Sequence, residues 1–121
     1  MSKKIMVCDD APIIRLMITD FLQFNGYEIV AEAVNGKDAV EKYKQFTPDL
    51  VTMDVIMPEM DGIQALEEIL KINQNAKVVM VTAIDQRESL IKAIRIGATD
   101  YIVKPFENDR VVSAVKTALG D

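Results

Sequence analysis

The stretch DLVTMDVIMPEMDG, residues 49–62, decides how the chain is read. Leu50, Val51 and Met53 form a short apolar run of the kind that makes a strand buried on both faces, and the run ends on a carboxylate, Asp54. More apolar residues and a turn follow. One carboxylate at the exit of one strand is accounted for as a turn residue. Its meaning depends on what ends the other strands.

Outward from this stretch, short β-rich runs alternate with helical ones. Strands are expected over 4–8, 28–33, 50–53, 77–82 and 101–103, and helices over 12–24, 36–45, 62–72, 86–96 and 109–119. Pro12 suits a first helical turn, where its missing N–H is not needed. Asn35 is placed to cap a helix, and Asp85 with Glu88 three residues on resembles a capping box. Gly26 and Gly97 sit where helices should stop. Strands alternating with helices imply a parallel sheet covered on both faces, and right-handed crossovers make it doubly wound. In such folds ligands bind beyond the carboxyl ends of the strands, where the winding reverses, and Asp54 lies at such an end.

Composition narrows the chemistry. A chain of 121 residues, half of them hydrophobic, fits one domain over 1–121 with one core. No apolar run reaches the roughly 18 residues of a membrane span, and the N-terminus is too short of apolar residues for a signal peptide. A cytoplasmic, monomeric protein is expected. The net charge of −5 argues against nucleic acid and acidic membranes as partners. Cys8 is the only cysteine, so no internal disulfide forms, and its place at the end of an apolar run suits a buried small hydrophobe. The absence of histidine removes Ser-His and Cys-His triads and any histidine-ligated metal. A phosphohistidine donor would have to be another molecule.

The other strand ends are also polar. The first ends VCDDAP with Asp9 and Asp10, the fourth ends MVTA with Thr82, and the fifth ends IVKPF with Lys104 and Pro105. Each alone has a structural reading: an acid pair caps the next helix, a threonine ends a strand, a lysine before proline is solvated. Together, at the carboxyl ends of four different strands, they converge on one edge. Clustered carboxylates repel and raise at least one pKa, and a hard divalent cation relieves that repulsion. A carboxylate can attack phosphorus to give an acyl phosphate, and phosphoryl transfer needs positioning and charge neutralisation above all. Asp54 is then a nucleophile held rigidly at a strand end.

With these residues placed, the chain resembles a response-regulator receiver domain through VCDDAP, TMDVIMPEMDG, VTA and DYIVKPF, in order and over its whole length. Within that family it is most similar to the stand-alone chemotaxis regulators of the CheY type. The resemblance implies a flavodoxin-like fold with strand order 2-1-3-4-5. It implies that Asp54 accepts phosphoryl from a sensor histidine kinase, and that Mg²⁺ (or Mn²⁺) is held by Asp9, Asp10, Asp54 and the carbonyl of Ile56. Thr82 and Lys104 would bind the phosphoryl group. Tyr101 would be a switch aromatic that turns inward when Thr82 moves; the plainer alternative is a half-buried strand tyrosine. The protein would not be an enzyme but a phosphoacceptor that assists its own phosphorylation and dephosphorylation. Output would be phosphorylation-dependent binding of a protein target, the flagellar motor switch in chemotaxis, with a phosphatase as a further partner.

Alternatives remain at this point. A phosphorelay intermediate or another single-domain receiver would share the site. A haloacid-dehalogenase-like phosphatase also uses a strand-end Asp but wants a second Asp two residues on, where this chain has Ile56. Two further expectations follow. The Lys104–Pro105 bond should be cis, to turn Lys104 back to the site. Ile91 on the fourth helix and Ala98 just beyond it are expected to serve the core, leaving Leu90 and Ile94 beside Tyr101 as an output surface through helix four, strand five and helix five.

Overall fold

A computed structural model describes residues 2–121. The elements in chain order are β1 (Lys4–Cys8), α1 (Pro12–Phe24), β2 (Glu28–Ala33), α2 (Gly36–Phe46), β3 (Leu50–Asp54), α3 (Gly62–Ile72), β4 (Val78–Ala83), α4 (Arg87–Ile96), β5 (Asp100–Lys104) and α5 (Asn108–Leu119). The strands form one parallel sheet in the order β2-β1-β3-β4-β5. The winding reverses between β1 and β3, as expected.

Alternation along each strand divides the core into two layers. Ile5, Val7, Leu50, Val79, Val81 and Ile102 pack with α1 and α5. Met6, Cys8, Val51, Met53, Val78 and Met80 pack with α2, α3 and α4. All of β3 is buried, which is why its sequence reads as a run and does not alternate. Cys8 lies inside the second layer, and burial pushes its thiol pKa up, so it is an inert core residue.

Pro12 opens α1, and the Asn35 side chain accepts the Asp38 N–H at the start of α2. The expected capping box at Asp85 and Glu88 does not form. Helix α4 starts one residue later, with Gln86 at its cap and no side-chain bond into the helix. Gln86 turns back instead and accepts the Ala83 N–H at 2.9 Å, satisfying the end of β4. Strands β3 and β5 run to Asp54 and Lys104, past their apolar residues, because the ladder pairs Asp54 with Val81 and Lys104 with Ala83. No helix among the described residues is long and apolar enough to cross a membrane.

Candidate functional site

Asp54 is the last residue of β3 and only 5 % exposed. The loop after it folds back tightly. Val55 N–H donates to the Val81 carbonyl, and Gly62 N–H returns to the Val55 carbonyl at 2.8 Å. A Cβ on Gly62 would lie 2.0 Å from the Asp54 carbonyl oxygen, so only glycine admits this return. The PEMDG end of the decisive stretch is thus the brace behind Asp54.

Asp9 is fully buried. Its Oδ1 accepts the Ala11 N–H at 2.8 Å, so it does close the turn into α1, and Arg15 Nη1 donates to its backbone carbonyl at 2.8 Å. Its Oδ2 has no hydrogen bond. Lys104 Nζ lies 3.4 Å from that atom and 3.4 Å from Asp54 Oδ1, within ion-pair range of both. Alternation accounts for the meeting. Asp9 follows Ile5 and Val7, Asp54 follows Leu50, and Lys104 follows Ile102, all on the α1/α5 side of the sheet. Asp10 is exposed, and one oxygen from each of Asp9, Asp10 and Asp54 falls within 4.8 Å of the others.

The electrostatics follow from this packing. Burial, and then the Asp9 charge, raise the Asp54 pKa from 3.8 to about 6; Lys104 opposes the shift and Asp10 adds slightly to it. The carboxylate is still largely ionised at neutral pH, but at a cost to the fold.

Thr82 is buried at the end of β4. It follows Val78 and Met80, which places it on the α4 side, opposite in parity to Asp54. Its hydroxyl lies 3.2 Å from the Ala83 carbonyl and 3.3 Å from Gln86 Oε1. Tyr101 is 40 % exposed and pairs in register with Met80, two residues before Thr82. The Arg110 guanidinium lies 5.8 Å from the centre of its ring. Arg87, Leu90, Ile91, Ile94, Arg95 and Tyr101 line a shallow groove of about 390 Å³. Leu90, Ile94 and Tyr101 are therefore brought together as expected. Ile91 joins them and does not serve the core as expected: it is 40 % exposed on this groove, and Ala93 is the residue of α4 that is fully buried in the core. Ala98 does pack against the core. Ile56 and Ile84 are both exposed, and the Lys104–Pro105 bond is cis.

Gln86, Arg110, Arg15 and the brace role of Gly62 were not legible as site features. For Gln86 the available signal was a carboxamide four residues beyond the strand-end threonine. Nothing in the sequence marked Arg110 as the neighbour of Tyr101.

Residues 5–116 match the response regulator receiver domain. The chain is 54 % identical over 119 residues to the chemotaxis protein CheY of Bacillus subtilis, covering 98 % of this chain and 99 % of that one. It is 50 % identical over 115 residues to the chemotaxis protein CheY of Thermotoga maritima, covering 95 % and 96 %. Among solved structures it is similar to one of a CheX-CheY-BeF3-Mg²⁺ complex from Borrelia burgdorferi, with a TM-score of 0.91, 32 % identity, and 95 % of this chain and 87 % of that one covered. A phosphatase of the haloacid-dehalogenase kind is thereby set aside. With its acid pair, its strand-end aspartate and its lysine on one sheet edge, the chain belongs to the response regulator receiver domain family.

Proposed function

We propose that this protein is a chemotaxis response regulator that accepts a phosphoryl group on Asp54 from a sensor histidine kinase. The observation that carries it is the convergence of Lys104 on Asp54 and Asp9 at 3.4 Å, at the carboxyl edge of the sheet. The similarity to chemotaxis proteins over nearly the whole chain supports the pathway.

The carboxylates fit a hard divalent cation. Three oxygens gather within 4.8 Å, and Asp9 Oδ2 is buried without a hydrogen bond. Asp9, Asp10, Asp54 and the Ile56 carbonyl would hold Mg²⁺ or Mn²⁺. The bound cation supplies positive charge against the phosphoryl oxygens.

The chain's own groups do the rest. An Asp54 carboxylate oxygen attacks phosphorus on the kinase's phosphohistidine; the P–N bond breaks as the O–P bond forms, and the imidazole leaves. Lys104, already paired with Asp54 Oδ1, balances the charge that arrives. Thr82 donates its hydroxyl to a phosphoryl oxygen, and Tyr101 turns inward into the space Thr82 vacates. The α4-β5-α5 groove then changes its affinity for a protein target, the flagellar motor switch. Loss of the group by hydrolysis or to a phosphatase partner resets the site.

Asp54→Asn should abolish labelling by radiolabelled acetyl phosphate in Mg²⁺ while the fold is retained by circular dichroism. Undiminished, Mg²⁺-dependent labelling of that variant would overturn the assignment.

A further inference from the structure

The structure assigns Gln86 as a latch that holds Thr82 in its resting position and so sets how readily the protein switches; the assignment rests on the phosphoacceptor reading above. Gln86 Oε1 faces two groups, the Ala83 N–H at 2.9 Å and the Thr82 hydroxyl at 3.3 Å. The backbone N–H can only donate, so the carboxamide atom facing it must be the oxygen. Thr82 is then the donor towards that same oxygen, or towards the Ala83 carbonyl 3.2 Å away. The two acceptors lie at either end of the β4–α4 connection.

A threonine hydroxyl has one proton to donate. While it serves Gln86 or Ala83, it cannot serve a phosphoryl oxygen on Asp54. Switching must therefore break the Thr82–Gln86 contact. Gln86 is also the cap residue of α4, the helix that carries Leu90, Ile91 and Ile94. One carboxamide thus ties the position of Thr82 to the start of the output helix. A group that binds only the resting arrangement lowers the population competent to hold phosphoryl, and the apparent affinity for a phosphoryl mimic falls by that fraction. Gln86 is a positioning residue in this scheme and touches no reacting atom.

The test is a double-mutant cycle on the full chain, read by titration calorimetry with beryllofluoride in Mg²⁺. Gln86→Ala should tighten binding by about 5-fold, the effect of releasing one hydrogen bond of ordinary net strength. In a Thr82→Ala background the same substitution should leave the affinity unchanged, because there is no hydroxyl to release. Equal effects in both backgrounds, no effect, or weaker binding by Gln86→Ala would overturn the latch. A second readout needs neither metal nor phosphoryl mimic. Exchange of the Ala83 amide should quicken in Gln86→Ala and stay slow in Gln86→Glu, which keeps an accepting oxygen. Continued protection in Gln86→Ala would overturn the latch independently. A parent protein that binds no beryllofluoride in Mg²⁺ would instead overturn the phosphoacceptor reading, and the inference with it.

Discussion

Ile56 and Ile84 stand two residues beyond Asp54 and Thr82, and the fold leaves them 55 % and 85 % exposed. Hydrolysis of an acyl phosphate on Asp54 needs water in line with the O–P bond. Neither side chain can hydrogen-bond that water, and both are stiff at χ1. Slow self-dephosphorylation is expected, with back-transfer or a phosphatase partner supplying fast reset. Ile56→Asn together with Ile84→Glu should speed loss of label from purified protein in Mg²⁺ by about 10-fold, less than the roughly 100-fold of a positioned acid or base because these groups only orient the water. An unchanged or slower loss would show that these residues do not govern the attacking water. At the same scale, the gathering of Asp54, Asp9, Asp10 and Lys104 was legible, because charges at strand ends break an otherwise apolar pattern; Thr82 was legible only as a strand-end hydroxyl, and it faces Ala83 and Gln86. Gln86 was not, since a polar side chain in a loop looks solvated until the backbone N–H it serves is known.

At the scale of elements, the sequence carried strand and helix identity well and their edges less well. Strands β3 and β5 were read short because apolar runs stop before the ladder does: Asp54 and Lys104 are polar and still pair. The start of α4 was misread because Asp85 and Glu88 satisfy one local pattern while a competing local bond, from the Ala83 N–H to Gln86, forms instead. Ile91 was misassigned for a related reason. Helix α4 is apolar over more than one face, and the pattern does not say which face meets the sheet. The pairing of β5 with α5 carries a prediction of its own. Arg110 lies over the Tyr101 ring, donates to the Tyr101 carbonyl and reaches Asp100 at 3.7 Å. A contact of this kind is worth about 0.5–1 kcal/mol at an exposed site, and it favours the 40 % exposed position of the ring. Arg110→Ala should raise the inward population of Tyr101 in the unphosphorylated protein by a few-fold, on the order of 2- to 5-fold. The ring proton shifts of Tyr101 report this directly, and unchanged shifts would show that Arg110 does not bias the ring.

At the scale of the whole molecule, the site works against the stability of the fold. The chain carries a net charge of −5, and two of its carboxylates, Asp9 and Asp54, are buried and share one lysine. Folding raises the Asp54 pKa from 3.8 to about 6, so between these values the native state binds its proton more tightly than the unfolded chain does. The sign follows from linkage: stability from this group is fully present below 3.8, falls as pH rises, and is lost above about 6. At about 1.4 kcal/mol per pH unit, that displacement costs the metal-free native state on the order of 3 kcal/mol at neutral pH. The informative quantity is the difference between two proteins that differ only at Asp54. Asp54→Asn should melt on the order of 10 °C above the parent at pH 7 without metal, and this gap should close as pH falls towards 4. Mg²⁺ should raise the melting temperature of the parent by binding the native state, and raise that of Asp54→Asn less. Asp10 is exposed, so neutralising it should stabilise the metal-free protein by less than neutralising Asp54 does. A gap between Asp54→Asn and parent that stays constant from pH 4 to pH 7 would place the strain elsewhere than in the buried charge. A gap that narrows in step with Asp54 protonation would tie the instability of the resting protein to the carboxylate it must keep ionised in order to react.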